Sequence, residues 1–278
     1  MPQTTAVVTP YNRPFIEQRA DPYIYRGPDG AYYFTASVPA YDRIVLRRAA
    51  TLVGLREAEE VTIWTKHANG PQSCHVWAPE IHYLQGKWYV YYAASEIEDP
   101  WKLRPYVLQC TGTDPMADPW VELGMMQAAD TDLFSFQDFS LDATILCHQG
   151  EMYYIWAEKV GVGKKISNLY IARMETPWKL ATDQVLLTTP DYDWERIGFW
   201  VNEGPAFLRH NGRIYMTYSA SETGACYCMG MLSIDEDADL LDPRAWKKER
   251  YPVLCTSEEM GLFGPGHNSF VKAEDGVT

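Results

Sequence analysis

Three acidic residues, a tryptophan and a histidine recur at one position relative to a series of turn glycines. Asp21, Trp77, Glu203 and His267 each lie nine residues before a glycine, and Asp142 lies eight residues before one. Those glycines are Gly30, Gly86, Gly212, Gly276 and Gly150. Residues at one repeat position of a closed, repeating fold meet near its axis. We therefore expect the three carboxylates to converge on one pocket.

Three carboxylates in one pocket suit more than one kind of chemistry. They could bind a metal ion, act in acid–base catalysis, or accept hydrogen bonds from the local backbone. Calcium-binding loops gather acidic ligands at short spacing, as in D-x-D-x-D-G, and the sequence lacks that pattern. Inverting glycosidases instead hold an acid and a base about 6.5–9.5 Å apart, with room for a water between them. Carboxylates from different repeats favour this second arrangement.

The surroundings of the acids suggest separate roles. Glu203 lies in GFWVNEGPAF, where aromatic neighbours should raise its pKa by excluding water and favour the role of general acid. Asp21 has Arg19 and Arg26 nearby in sequence, which should help it to remain an ionised base. A third acid, Asp142, would tune and orient the general acid. The alternative for each acid is structural, for example capping a turn or bonding backbone amides.

The elements that position these residues are β-hairpins. Four x-Gly turns are each followed by alternating aromatic and aliphatic residues that end in small or polar ones. These stretches are DGAYYFTAS, QGKWYVYYAAS, QGEMYYIWAE and NGRIYMTYSAS, and a fifth turn lies at 275–276. Each interval then holds a third apolar stretch and a tryptophan-bearing one, as in RIVLRRA and TIWTK. The pattern predicts four short strands per unit.

The spacing of the units indicates the fold. Successive turn glycines are 56, 64, 62 and 64 residues apart. We predict an all-β, five-bladed β-propeller with four-stranded blades, whose fifth blade is incomplete at the C-terminus. Residues 1–278 would form a single catalytic domain. A β-sandwich is the alternative, but it predicts no regular period of this kind.

Composition limits the partners and the location. The chain of 278 residues carries a formal net charge of −13, whereas nucleic-acid-binding proteins carry clustered Lys and Arg, so no nucleic acid partner is expected. No stretch has the length needed to cross a membrane, so no membrane partner is expected. The first fifteen residues lack the regions of a signal peptide. We expect a cytoplasmic protein, or a secreted one if a signal peptide has been removed.

At these residues the sequence resembles glycoside hydrolase family 43. The matching stretches are RADPYIYRGPDGAYYFTAS, HVWAPEIHYLQGKWYVYYAAS, FSLDATIL, VNEGPAFL and GPGHNSF. The resemblance implies a five-bladed propeller and an inverting mechanism, with Asp21 as general base, Asp142 as pKa modulator and Glu203 as general acid. The stretch YDRIVLRRAATLVGL, with WTKH after it, looks most like members that release arabinose from α-1,5-linked arabinan.

The resemblance also implies a set of binding residues. Trp77, Phe34 and Trp200 would wall the sugar pocket together with His267. The same histidine matches a channel histidine of the family that is often linked to a bound calcium ion or water. We therefore expect a structural calcium ion in the central channel, with His267 linked to it through water, and no cofactor for the chemistry itself.

The expected activity is the release of terminal α-L-arabinofuranosyl units from arabino-oligosaccharides or arabinan. Two other activities of the family, β-xylosidase and endo-arabinanase, stay open because motifs near the acids barely separate them. A non-catalytic carbohydrate-binding propeller also stays open. Family members usually continue past GHNSF, so the fifth blade should have an open edge through which the protein could self-associate.

Overall fold

Four antiparallel sheets follow one another along the chain in the computed structural model, which describes residues 16–161 and 164–276. The first contains β1 (Ala20–Arg26), β2 (Tyr32–Ser37), β3 (Arg43–Ala49) and β4 (Val61–Thr65). The second contains β5 (Cys74–Leu84), β6 (Lys87–Ser95), β7 (Arg104–Cys110) and β8 (Trp120–Met125). The third contains β9 (Ser140–His148), β10 (Glu151–Val160), β11 (Ile166–Thr176), β12 (Lys179–Leu180) and β13 (Val185–Thr188). The fourth contains β14 (Asn202–His210), β15 (Arg213–Ala220), β16 (Cys228–Asp235) and β17 (Lys247–Lys248).

Strands that are consecutive in the chain pair within each sheet, except that in the third sheet β13 pairs with β11 and not with β12. These sheets are the blades of an all-β propeller, which confirms the predicted fold class. The only helices among the described residues are two 3-10 turns, Val53–Arg56 and Asp193–Glu195. No helix in those residues is long and apolar enough to span a bilayer.

The predicted turns build the first hairpin of each blade. Gln85, Gln149 and Asn211 have φ of 50°, 50° and 49°, and the glycine after each has φ of 82°, 83° and 72°. Two successive left-handed residues form the hairpin turn whose twist matches that of paired strands. Glycine adopts this conformation without strain, which explains its regular recurrence in the sequence.

The first strand of each blade lies innermost, and apolar side chains fill the space between blades. Along the ring, β1 contacts β5, β5 contacts β9, and β9 contacts β14. Trp88 and Leu108 belong to the cluster between blades 1 and 2, Trp156 to the cluster between blades 2 and 3, and Tyr218 to the cluster between blades 3 and 4. The starts of the four innermost strands are thereby held around one channel.

The predicted count of five blades is wrong for the described residues, which form four sheets. Where a fifth sheet was expected, the segment 264–274 runs between blade 4 and blade 1 without strand pairing. It contacts blade 4 through the N–H of His267, which donates to Ser219 Oγ at 2.7 Å. It contacts blade 1 through the carbonyl of Lys272, which accepts from the Tyr32 hydroxyl at 2.9 Å. A single segment has no second strand beside it with which to form a ladder, and self-association at this edge stays a prediction.

The packing between blades predicts which apolar residues stabilise the fold. Leu108 on β7 has no exposed surface, whereas Leu186 on β13 is 44% exposed. We expect Leu108→Ala to lower the free energy of unfolding by about 2–5 kcal/mol, because the cavity that it leaves cannot close fully. Leu186→Ala should lower the free energy of unfolding by less than about 1 kcal/mol, because the side chain is already largely exposed. Urea unfolding measures both, and equal losses would contradict the proposed core.

Candidate active site

A break in strand pairing marks the start of the innermost strand in every blade. The register shifts between Ala20 and Tyr23 in blade 1 and between Glu203 and Ala206 in blade 4, and similar shifts occur in blades 2 and 3. Such a β-bulge places an extra residue in one strand and re-aims its side chains. At each bulge one residue is left-handed, with φ of 53° for Asp21, 46° for Ala78, 53° for Asp142 and 56° for Gly204. His267 has φ of 45° on the C-terminal segment.

The bulge and the turn lengths together explain why Asp142 was one residue out of step in the sequence: the turn of blade 1 contains three residues, 28–30, whereas the turns of the other blades contain two. The single repeat position consists of two adjacent positions, which we call the first and second bulge positions. The first pairs with the second strand of its blade and is occupied by Ala20, Trp77, Leu141 and Glu203. The second is the left-handed residue that follows. Asp21 and Asp142 therefore occupy the second position, while Trp77 and Glu203 occupy the first.

One cavity of about 590 Å3 at the channel mouth is lined by residues from both positions. The structure brings Asp21, Asp142 and Glu203 together there, with Trp77 and His267 in the same wall. Four separate elements, β1, β9, β14 and the C-terminal segment, supply the charged members of this group. Convergence of the carboxylates thus follows from the repeated bulge in a closed ring.

Asp21 is held by two partners, one at each carboxylate oxygen. The hydroxyl of Ser37 donates to Oδ2 at 2.5 Å, and Nδ1 of His267 lies 3.1 Å from Oδ1. The two arginines near Asp21 in the sequence have other partners. Arg19 instead binds both carboxylate oxygens of Glu60 at 2.9 Å, and Arg26 lies over the ring of Tyr32. The cation beside Asp21 comes from the far end of the chain.

Asp142 is the most enclosed acid of the group, with its side chain only 4% exposed. Burial raises its pKa well above the usual range, and the charges of Glu203 and Asp21 raise it further. His267, with Nδ1 at 3.6 Å from Oδ2, and the N–H of Gly204 at 3.1 Å act in the opposite direction. Asp142 therefore contacts the backbone next to Glu203 as well as the histidine that contacts Asp21.

Glu203 has a different partner. The hydroxyl of Tyr227 donates to its Oε1 at 2.8 Å. Burial raises the pKa of Glu203, and the carboxylate of Asp21 also raises it, while Tyr227, His267 and Lys159 partly offset the shift. A raised pKa keeps a proton on this carboxyl at a pH where an exposed glutamate would be ionised.

His267 is the cation at the centre of the group. Burial alone would lower its pKa, but the carboxylates of Asp21, Asp142 and Glu203 outweigh burial and raise the pKa to about 9. The imidazole packs against Gly204, where an added Cβ would lie 3.2 Å from the ring. The left-handed Gly204 thus leaves room for the histidine while its N–H binds Asp142.

The protonation of His267 affects whether this residue can bind the predicted calcium ion. An imidazolium has no lone pair to offer a metal, and Nδ1 of His267 already faces two carboxylates. Among the residues that the structure describes, no group of three His, Cys, Asp or Glu side chains is arranged to hold an ion. Direct ligation by His267 therefore does not fit these residues, and an ion held through water elsewhere in the channel stays a prediction.

Aromatic side chains form the walls of the cavity. Trp77 stacks on His75 with ring centroids 4.6 Å apart, and Trp101, Phe139 and Phe199 line the cavity beside it. Trp101 is 66% exposed and stands at the rim. This wall offers flat apolar surfaces of the kind that pack against sugar rings.

Two residues expected in the wall lie elsewhere. Phe34 is buried in the core beside Tyr32 and lines a neighbouring cavity instead. Trp200 is outside the residues that line the acid cavity, and its ring lies under the cations of Arg196 and Lys164 at 4.5 Å and 4.4 Å. Trp200 precedes Val201, which does line the acid cavity, and adjacent side chains of an extended segment point to opposite faces.

Three residues of the site were missed in the sequence. Trp101 and Tyr227 lie in segments between strands, where the repeat has no fixed length, and so no spacing pointed to them. Lys159 ends the aromatic stretch of β10, and a lysine after QGEMYYIWAE was the available signal. Its ammonium lies 3.7 Å from the centre of the Phe139 ring, and burial lowers its pKa.

Comparisons with known proteins identify relatives along almost the whole chain. The sequence model described as "Glycosyl hydrolases family 43" matches residues 11–278. An "Extracellular exo-alpha-(1->5)-L-arabinofuranosidase" of Streptomyces avermitilis is 47% identical over 266 residues, which cover 96% of this chain and 54% of that protein. A protein of the same name from Streptomyces chartreusis is also 47% identical, over 96% of this chain and 80% of its own length. This chain therefore spans about half the length of the Streptomyces avermitilis relative.

Two solved structures are also similar to this chain. The crystal structure of an α-L-arabinofuranosidase from Lactobacillus brevis is 50% identical, with a TM-score of 0.89, and the match covers 96% of this chain and 83% of that one. A thermostable family-43 glycoside hydrolase is 26% identical with a TM-score of 0.73, over 94% of this chain and 81% of its own.

The charge balance around His267 predicts its titration. We expect the imidazole to titrate near pH 9 in NMR spectra, and Asp21→Asn to lower that pKa because one of three attracting carboxylates is lost. His210→Gln, at an exposed position, removes a histidine outside the site and serves as the assignment control. A pKa of His267 that Asp21→Asn leaves unchanged would contradict the contact.

The same raised pKa predicts how stability depends on pH. The folded protein binds this proton more tightly than the unfolded chain, in which the pKa is near 6.5. The stabilisation is complete below pH 6.5 and is lost as the pH rises through about 9. The free energy of unfolding of the unmodified protein, measured in urea at several pH values, should therefore fall over this interval.

Proposed function

The chain belongs to glycosyl hydrolases family 43, and we propose that it is an inverting glycoside hydrolase that releases terminal α-L-arabinofuranosyl units. The proposed substrates are α-1,5-linked arabino-oligosaccharides or arabinan, in keeping with the names of the Streptomyces relatives. The observation that carries the proposal is the group of three carboxyl side chains around one protonated histidine in an aromatic-walled cavity. Residues 1–278 would act as one catalytic domain.

Asp21 is the proposed general base. Ser37 and His267 hold its two oxygens, one each, and every carboxylate oxygen keeps a further lone pair for a water molecule. Asp21 would accept a proton from that water as the water oxygen bonds to the anomeric carbon. A base held at both oxygens loses little freedom when the water binds.

Glu203 is the proposed general acid, since burial raises its pKa and so favours the protonated form. It would pass its proton to the glycosidic oxygen as the bond from that oxygen to the anomeric carbon breaks. Attack by water on the opposite face inverts the configuration. The product state has a protonated Asp21 and an ionised Glu203, and proton exchange with solvent restores both.

Asp142 is the proposed modulator of the acid. Its carboxylate binds the N–H of Gly204, the residue that follows Glu203, and it shares His267 with Asp21. Asp142 therefore links β14, which carries Glu203, to His267, which contacts Asp21. Trp77 would stack on the sugar from the first bulge position of blade 2.

Secretion is the location that the relatives' names support, because both Streptomyces proteins are called extracellular. The sequence-based expectation of a cytoplasmic protein has no such support. The segment on which that expectation depended, residues 1–15, lies outside the described residues.

Product analysis tests the activity directly. We expect linear α-1,5-arabino-oligosaccharides to yield arabinose alone at early times, and proton NMR to detect the β-anomer first because the mechanism inverts an α-linkage. An aryl β-xyloside run in parallel separates the xylosidase alternative. Early mixed oligomers would indicate an endo enzyme, and an α-anomer formed first would rule out inversion.

The loss of activity on removing the general acid should depend on the leaving group of the substrate. Glu203→Ala should slow arabino-oligosaccharide hydrolysis by about 10²–10⁴-fold, since the leaving sugar needs a proton. Hydrolysis of an activated aryl α-L-arabinofuranoside should suffer far less, because its phenolate leaves unaided. Measured kcat/KM values that fall equally for both substrates would contradict the assignment of Glu203 as the acid.

A further inference from the structure

We infer that Ser219 and Tyr227 form a directed chain of hydrogen bonds that keeps the acidic proton of Glu203 on Oε2. The inference rests on the proposed function, because it concerns the oxygen from which the general acid delivers its proton. In this chain Ser219 donates to Tyr227, Tyr227 donates to Oε1, and Oε2 carries the proton for the substrate. Tyr227 and Ser219 are thus positioning residues for proton transfer.

The direction of the chain begins at the C-terminal segment. The N–H of His267 can only donate, and it lies 2.7 Å from Ser219 Oγ. The serine oxygen is therefore an acceptor at this contact, and its single proton is free to point elsewhere. Ser219 Oγ and the edge of the Tyr227 ring both lie against Gly266, and the serine lowers the pKa of the phenol, as a proton donated by Ser219 would. The serine proton thus points to the tyrosine oxygen.

The next link fixes the state of Glu203. With Ser219 donating to its oxygen, Tyr227 directs its own proton to Glu203 Oε1, 2.8 Å away. Burial raises the pKa of Tyr227 well above its usual range, as do the charges of Glu203 and Asp142, so the phenol remains a donor. In a protonated carboxyl the carbonyl oxygen is the better acceptor. Oε1 therefore takes the carbonyl role, and the hydroxyl belongs to Oε2.

Packing leaves the tyrosine ring little freedom. Tyr227 is 7% exposed, and its N–H donates to the carbonyl of Gly224 at 3.1 Å. A Cβ added at Gly266 would overlap the edge of the Tyr227 ring. Glycine at 266 thus allows the C-terminal segment to pass directly over the ring. A phenol held on two sides can orient a carboxyl more strictly than a mobile one.

Blade 1 contains an equivalent serine, Ser37, which contacts its acid, Asp21, directly and without an intervening tyrosine. Ser37 pairs with Ala20, as Ser219 pairs with Glu203, so the two serines are equivalent in register. Ser37 accepts the N–H of Ala78 on blade 2 at 2.7 Å and donates directly to Asp21. In each case a serine is fixed as a donor by the amide at the second bulge position of the following unit. One serine then serves the proposed base and the other serves the proposed acid through a phenol.

Other charged groups also face Glu203, and a test must leave them in place. They come from four other elements: Asp21 on β1, Asp142 on β9, Lys159 on β10 and His267 on the C-terminal segment. Tyr227→Phe changes none of them and keeps the ring. Its effects therefore report on the hydroxyl.

The experiment compares Tyr227→Phe and Ser219→Ala with the unmodified protein. We expect Tyr227→Phe to lower kcat on an α-1,5-arabino-oligosaccharide about tenfold to a hundredfold, the range for a lost hydrogen bond to a group that becomes charged, as Glu203 does when its proton leaves. An activated aryl α-L-arabinofuranoside, which needs little proton transfer, should lose less than about threefold. Ser219→Ala should show the same contrast with a smaller loss. Tyr215→Phe, at the other end of β15 where Tyr215 pairs with Leu208, is the control and should match the unmodified protein.

A second measurement does not depend on turnover. Carbon-13 NMR of labelled glutamate carboxyls should give Glu203 a higher pKa in Tyr227→Phe than in the unmodified protein, because a donor to the carboxylate is lost. Equal losses on both substrates, or an unshifted Glu203 pKa in a folded variant, would overturn the inference. If the unmodified protein hydrolyses neither arabinoside, the proposed function fails, while a shifted Glu203 pKa would still support the hydrogen-bonded chain.

Discussion

The arrangement of the site depends on one buried ion cluster, the imidazolium of His267 among Asp21, Asp142 and Glu203. Enclosing several carboxylates in one cavity is costly unless a cation or hydrogen-bond donors compensate, and here one histidine faces acids from three blades. The left-handed bulge residues are strained conformations that local preference alone would not select. Formation of this cluster stabilises the bulges of β1, β9 and β14, which supply its three acids.

Buried carboxylates outside the cavity support the segments that lead into it. Glu158, at the end of β10, accepts the N–H groups of Phe136 and Asp138, which precede β9. Glu195, fully buried, accepts from Asn202 Nδ2 at 3.0 Å, directly before Glu203. The proposed acid and its modulator are thus each preceded by a loop fixed on a satisfied, buried carboxylate. Rigid approach segments of this kind are what precise proton transfer requires.

Turn spacing located the strands and the three acids because both follow from a regular repeat. The predicted stretch RIVLRRA coincides with β3, and the shared position before each turn glycine led to Asp21, Asp142 and Glu203. The partners of these acids were less accessible, because no local rule says that Arg19 binds Glu60 while His267 binds Asp21. Tyr227 lies in a segment of irregular length, where periodicity carries no information. The prediction of a fifth blade was wrong because the segment 264–274 and the turn at 275–276 resemble the first strand and turn of a sheet, but no further strands in the described residues pair with them.

The position of the segment 264–274 in the sequence affects when the site can form during synthesis of the chain. The segment joins blade 4 to blade 1 through contacts such as Tyr32 to Lys272, which are 240 residues apart in the chain. During synthesis Asp21 would emerge long before His267, so the proposed base lacks its imidazole partner until residue 267 has left the ribosome. Contacts of such long range form late and slowly. All four blades, which end at Lys248, would therefore emerge before the histidine of the proposed site, and the ion cluster would form only when the segment 264–274 packs between blade 4 and blade 1.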